Sequence, residues 1–272
     1  MYPVLLEIGP ITIYSFGFML VVAFYTTYFL LNHDLKKLDH DEKLASDMIF
    51  WAAIGGVLGS KIYYLLENLG DVIQDPVGMI FSGSGLVFLG GLMGGTLAVT
   101  MVLRKNNLQW LTFADIVAPL LILGYGIGRL GCFLVGDDYG IPTSLPWAVS
   151  FPNGLPPSTS QVFSVYYPWI DISGFAPGVL SVHPTQMYEF TAAVVIFYFL
   201  WSRRNNVKVA GSLFFLYLIL AGLERFAVEF IRTNEKYLFD LFSGSQVISV
   251  FMIAIGTYFL LNPISKHDPD SA

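Results

Sequence analysis

Residues 211–232 read GSLFFLYLILAGLERFAVEFIR. The first half is apolar enough for hydrocarbon. The second half then places Arg225, Glu229 and Arg232 at i, i+4 and i+7, one face of a helix. Ionisable groups in a membrane segment are expensive and usually serve function. A buried guanidinium there is best matched by an anion, and lipid phosphate is the most abundant one available. Glu229 can hold both arginines while leaving guanidinium donors for phosphate oxygens, since a carboxylate without a partner would be costly. A purely structural ion-pair ladder is the alternative reading. Glu224 points about 100° away from Arg225 and is assigned no part.

The rest of the chain supports a membrane setting. Of 272 residues 55% are hydrophobic and 12% charged, with 23 Phe and 15 Tyr, so a soluble domain is excluded. The mean hydropathy is +0.63. Apolar runs at 12–31, 44–66, 86–103, 113–136, 185–201, 211–232 and 246–262 each approach the roughly 20 residues that span hydrocarbon. They predict an all-α polytopic membrane protein with about seven transmembrane helices. Lys36, Lys37 and Lys43 follow the first run, Arg104 and Lys105 the third, Arg203, Arg204 and Lys208 the fifth, and Lys266 the seventh, whereas the alternate loops carry only Lys236. This bias predicts an outer N-terminus and a cytoplasmic C-terminus. The net charge of −6 therefore says little about partners, and no nucleic acid is expected among them.

The N-terminal MYPVLLEIGPITIY lacks a basic region and a small-residue cleavage pattern, which predicts an uncleaved first span. Cys132 is the single cysteine, which excludes an intrachain disulfide and any multi-cysteine metal site, and the four histidines form no zinc pattern. The longest break in hydrophobicity, 137–183, has no Lys or Arg and is rich in Pro, Gly, Ser and aromatics. It predicts a strand-and-turn outer cap, dividing the chain into 1–136 with four spans, the cap, and 184–272 with three spans and a tail. Gly55 with Gly59, Gly90 with Gly94, Gly91 with Gly95 and Gly124 with Gly128 have the spacing of close helix packing.

Three further features carry chemistry. Gly124–Gly140 reads GYGIGRLGCFLVGDDYG: Arg129 lies near the outer end of a span, and Gly126, Gly128 and Gly131 strip side chains from its surroundings so that a headgroup can approach. Asp137 and Asp138 follow, and a simple pair between Arg129 and one of them is the bland alternative. His183–Glu189 reads HPTQMYE, with Pro184 suited to a first helical turn, Gln186 and Glu189 at i, i+3, and His183 at a helix start where it can meet an anion or move a proton. Lys61, within GGVLGSKIYYLL, is either another phosphate contact or a snorkelling side chain.

GPITIYSFGF, GRLG with the following GDDYG, HPTQMYE and RFAVEFIR together resemble the prolipoprotein diacylglyceryl transferases, multi-pass bacterial inner-membrane enzymes, over nearly the whole chain. The resemblance implies transfer of the diacylglyceryl group of phosphatidylglycerol to the lipobox cysteine of a lipoprotein precursor, with release of glycerol phosphate and no metal or organic cofactor. It further implies that Arg129 binds phosphatidylglycerol, that Arg225 is catalytic, and that Glu229 and Gly140 are essential. Family asparagines correspond here to Cys132 and Val135, a glutamate to Asp137, a histidine to Leu89, and tyrosines to Phe16 and Ala221. With Leu89 unable to take a proton, the base candidates are Asp137, Asp138, Glu229 and His183. Cys132, between Gly131 and Phe133, reads as a buried inert thiol. The substitutions also admit a paralogue using another acceptor, or a phospholipid binder or transporter without turnover.

Overall fold

The computed structural model describes residues 2–9, 11–38, 40–82, 87–237 and 241–264. Lys266, used above for orientation, lies outside them. Each apolar run holds one helix: α1 (Ser15–Lys37), α2 (Glu42–Glu67), α5 (Phe88–Lys105), α6 (Trp110–Val135), α8 (Thr185–Arg203), α9 (Ser212–Val228) and α10 (Gly244–Leu261). Among the described residues three short α-helices intervene, α3 (Leu69–Gln74), α4 (Pro76–Phe81) and α7 (Ser160–Tyr166). Among the described residues, four helices, within α1, α2, α6 and α10, are long and apolar enough to cross a membrane. α8 and α9 pack on each other, and α9 packs closely on α10.

The chain divides into two compact units, one of Met1–Thr27 with Ala114–His267 and one built on Tyr28–Phe113. In the second unit α2 and α5 form the main pair. Their backbones nearly touch at glycines: a Cβ on Gly55 would lie 2.6 Å from the Gly94 carbonyl oxygen, and one on Gly59 would clash with the Gly90 carbonyl. Small residues at i, i+4 allow this approach in a solvent that supplies no hydrophobic drive between helices.

In the first unit, helix ends are fixed by buried caps. Asp115 accepts from the backbone N–H of Gly211 at 2.6 Å and of Phe214 at 2.8 Å, satisfying the orphan donors that start α9. Ser243 and Gln246 make a reciprocal capping box on α10. α6 ends at Gly136, which takes φ +76° while its N–H reaches the Cys132 carbonyl at 2.8 Å, a left-handed stop that favours glycine. At the N-terminus β1 (Val4–Ile8) pairs antiparallel with β2 (Ile11–Tyr14), and the Tyr2 N–H donates to the Leu134 carbonyl at 3.0 Å.

Residues 137–183 contain little regular structure. β3 (Val149–Ser150) pairs with β4 (Ser181–Val182), and α7 is capped by Thr159. An aromatic core of Tyr139, Phe151, Phe163, Leu180 and Val182 holds the segment together, with Tyr139 stacked on Phe151 at 5.4 Å. Buried Ser158 accepts from the Phe151 N–H at 2.8 Å and donates to the Leu180 carbonyl at 2.9 Å, so the loops have the internal hydrogen bonds that sheets would otherwise supply.

Candidate functional site

The stripe expected on α9 does not run along one continuous α-helix. α9 ends at Val228, Glu229–Ile231 tighten into a 3-10 turn, and Arg232 turns extended with φ −85° and ψ 164°, forming a β-bridge with Gly140. The departure carries Arg232 toward the loop after α6. There Gly140 donates its N–H to the His183 carbonyl at 2.9 Å, and Ile141 donates to the Ile231 carbonyl at 2.9 Å. A Cβ on Gly140 would clash with the Ile231 carbonyl and lie 2.8 Å from Thr185, so glycine is required by close approach of three chain segments. Gly131 likewise faces Phe16 and Met19 of α1, where a Cβ would meet the Met19 side chain at 3.1 Å.

HPTQMYE and the GDD turn meet directly. Thr185 donates to the Asp138 carbonyl at 2.8 Å and Gln186 donates to the Asp137 carbonyl, holding Asp138 at φ +57°, a left-handed conformation that aspartate tolerates better than most residues. Gln186 and Glu189 are fully buried.

Three guanidiniums and three carboxylates then interlock. Arg129 reaches Asp138 Oδ2 at 2.7 Å and Glu189 Oε2 at 3.4 Å. Arg232 reaches Asp138 Oδ1 at 2.7 Å and Glu189 Oε2 at 3.4 Å. Arg225 reaches Glu229 Oε2 at 2.7 Å and Glu189 Oε1 at 3.2 Å. Glu229 Oε1 also accepts from Ser243 at 2.6 Å and Asn234 at 2.7 Å, while Arg225 donates to Ser245 at 3.1 Å. Tyr125 donates to Glu189 Oε1 at 2.9 Å, and its ring lies 4.9 Å from the Arg129 guanidinium. Reciprocal pairing of this kind is what makes buried charges tolerable.

Glu189 is the hub that sequence reasoning misses, because its spacing from Gln186 points to a helix face and not to charge balance. The available signal is that Glu189 is the one charged residue of the apolar run 185–201, where a carboxylate without a cation is costly. Asp138, expected as a candidate base or a simple partner for Arg129, bridges two arginines and has 44% of its side chain exposed, while the Glu189 side chain has none. Glu224, assigned no part on rotational grounds, has a buried Oε1 without a hydrogen-bond partner.

The remaining expected residues make contacts of their own. The His183 ring pairs with the Tyr188 hydroxyl at 3.3 Å, which in turn accepts from Trp147 at 2.7 Å, and burial lowers the His183 pKa. Lys61 belongs to the second unit and donates to the Ser82 carbonyl at 3.0 Å and hydroxyl at 2.8 Å. Cys132 is buried, 4.0 Å from an Arg129 nitrogen.

Asp137 and Asp138 are neighbours with opposite electrostatics. Burial, assisted by the Asp138 charge, pushes the Asp137 carboxyl up to about 6, and its Oδ1 is buried without a hydrogen-bond partner. Burial also penalises Asp138, but Arg232 and Arg129 outweigh it and hold that carboxyl below the usual range. Donor atoms of Cys132, Asp137 and Asp138 lie within 4.8 Å of one another, close enough for a metal ion. Both Asp138 oxygens already face guanidiniums, which makes the trio a poor cation site.

Residues 3–262 match the family model of prolipoprotein diacylglyceryl transferase. The chain belongs to this family. It is 34% identical to a phosphatidylglycerol–prolipoprotein diacylglyceryl transferase of Clostridium tetani, covering 95% of this chain and 96% of that protein. A protein of the same name from Stenotrophomonas maltophilia is 35% identical over 95% of this chain and 90% of its own. A third, from Chlorobaculum tepidum, is 34% identical over 96% and 89%. As a family member this chain is a transferase, and the arginine and carboxylate lattice is its candidate active site.

Proposed function

We propose that this protein transfers the diacylglyceryl group of phosphatidylglycerol to the lipobox cysteine thiol of a prolipoprotein. The thiol sulfur attacks the glycerol carbon bonded to phosphate, the carbon–oxygen bond breaks, and glycerol phosphate leaves with the bonding electron pair. The thiol proton passes to Asp137, whose burial makes it a stronger base than an exposed aspartate. Arg129, Arg225 and Arg232 hold the developing phosphate charge in a water-poor site, where fixed donors act strongly. Glu229 and Glu189 keep those guanidiniums aimed. Asp138 is the exchangeable member of the lattice: its two oxygens occupy the place between Arg129 and Arg232 that two phosphate oxygens would take.

The observation that carries this reading is that bridge, a half-exposed carboxylate held at 2.7 Å by each of two arginines, Arg232 buried and Arg129 partly exposed. The phosphodiester of phosphatidylglycerol is likewise a monoanion with two free oxygens and can take its place, and the phosphate monoester formed on cleavage carries more charge for the same donors. The relatives' names supply the lipid donor and the protein acceptor. We further propose seven spans in a bacterial inner membrane, an outer N-terminus and an outer cap at 137–183. The supporting observations are the seven helices, the basic residues at alternate loops and the absence of Lys and Arg from the cap.

The test is to incubate the purified protein in phosphatidylglycerol-containing detergent with a lipobox peptide and read the peptide by mass spectrometry. A diacylglyceryl mass on the cysteine, absent with Arg129→Ala, is the expected result. Lipid binding without that mass would refute the transfer and leave a different acceptor or a non-catalytic binder.

A further inference from the structure

A cavity of about 430 Å³ opens in the first unit, with Arg203, Asn206, Ser212, Leu213, Leu216 and Leu260 in its lining. It lies far from the arginine lattice on the same helices. From Glu189 to Arg203 the axis of α8 advances about 21 Å at 1.5 Å per residue, most of the thickness of a hydrocarbon core. α9 runs the opposite way, with Ser212 in its first turn and Arg225 near its end.

The lining is graded. Its polar groups, Arg203, Asn206 and Ser212, sit at the helix ends and their connecting turn. Leu213 and Leu216 continue along α9 from Ser212 toward the middle of the helix, with Leu260 opposite on α10. α9 and α10 pack tightly beside this lining: a Cβ on Gly256 would lie 2.6 Å from the Phe215 carbonyl oxygen, and Phe215 stacks on Phe259 at 4.9 Å. The Arg203 guanidinium lies 3.6 Å from the centre of the Phe199 ring, and one N–H donates to the Phe199 carbonyl at 3.4 Å. Stacking fixes the plane of a group that carries five N–H donors, which prepares it for an oxyanion.

We propose that this cleft is a second lipid site, taking the phosphate of an anionic phospholipid on Arg203, Asn206 and Ser212 and an acyl chain along Leu213, Leu216 and Leu260. A positive, hydrogen-bonding end joined to an apolar wall matches one molecule of that class, and basic pockets at helix ends in membranes recognise such headgroups. The site is separate from the transfer chemistry, and its occupant belongs to the leaflet opposite the one that supplies the arginine lattice.

The test is native mass spectrometry of the full chain released from nanodiscs of phosphatidylglycerol or of phosphatidylcholine. The wild type is expected to retain one more phosphatidylglycerol than Arg203→Ala, with no such difference in phosphatidylcholine, and peptide lipidation by the variant should stay within twofold of wild type. Arg129→Ala should lose a different lipid, and the double variant should lose both. Equal retention by wild type and Arg203→Ala, or an equal loss in phosphatidylcholine, overturns the proposal. So does competition by millimolar inorganic phosphate, which would mean an ion site without lipid. An unchanged melting temperature for Arg203→Ala separates loss of the site from loss of the fold.

Discussion

Two regions of this protein bring helix backbones together in an apolar solvent by opposite means. Along the seam of α2 and α5, Gly55 and Gly59 face Gly90 and Gly94, and side chains are simply removed. At the junction of α6, α8 and α9, large charged side chains are inserted and made to neutralise one another around Glu189. The first solution depends only on shape and has no vacancy for a ligand. The second depends on charge balance, so one anion can be exchanged for another. That difference favours the junction over the seam as the place of the proposed substrate site.

The strongest test of the contrast is Glu189→Ala. It leaves the buried Arg232 and the partly exposed Arg129 and Arg225 short of a shared counter-ion, and breaking fully buried pairs in this way costs about 3–5 kcal/mol, an upper bound here because two of the partners reach solvent. Thermal unfolding in detergent is expected to shift sharply downward, with peptide lipidation lost. Unchanged stability would mean that the lattice balances without its hub.

Asp137→Asn should act on chemistry and leave the lattice in place. Loss of a positioned base typically lowers a rate by about 10²- to 10⁴-fold. Because burial favours the protonated acid, the base form fills only as pH rises through about 6. Lipidation by the wild type should therefore fall on acidification below that value, and the residual rate of the amide should lack this limb. The same limb in both proteins would assign proton transfer elsewhere.

At the seam, Gly59→Ala is expected to destabilise by about 1–3 kcal/mol, the usual range for overpacking, because the added methyl meets the backbone of Gly90 and Gly94. Gly56→Ala is the matched control, since its nearest atom is 3.8 Å away. Neither should alter phosphatidylglycerol affinity once folded protein is compared. Equal melting temperatures for the two variants would remove the case for shape-only packing.

Much of this contrast is legible in the amino-acid sequence. Glycine spacings identify a seam because a period of four puts small residues on one helix face, and every apolar run is a helix because a backbone in hydrocarbon must satisfy itself. Arg129, Arg225, Glu229 and Arg232 stand out because charge in such runs is costly. Glu189 does not, since its partners come from α6 and α9, and long-range pairing leaves no local spacing to read. The end of α9 escapes a sequence reading for a related reason. The i, i+4, i+7 pattern fits a continuous helix, but Arg232 is drawn out of it by pairing with Gly140, about 90 residues away in sequence. Short strands in 137–183 and the clamp of Thr185 and Gln186 on the GDD turn likewise depend on partners distant in sequence.

The smallest expected effect is also the sharpest, because it changes sign between the two accounts of the junction. Asp138→Asn keeps the shape of the side chain and removes its charge. With Asp138 as the exchangeable anion, the free protein loses two half-exposed ion pairs, each worth up to about 1 kcal/mol after solvent screening, and melts slightly lower. Phosphate no longer has to displace a carboxylate held below the usual pKa range by Arg232 and Arg129, so phosphatidylglycerol should bind several-fold tighter. With Asp138 as a fixed strut, the same variant would let Arg129 and Arg232 drift and would weaken lipid binding. Phosphatidylglycerol titration of wild type and Asp138→Asn near neutral pH, where the wild-type carboxylate is fully charged, decides between them. A ratio above one in favour of the variant makes the lattice a preloaded anion site, and a ratio below one makes it a scaffold.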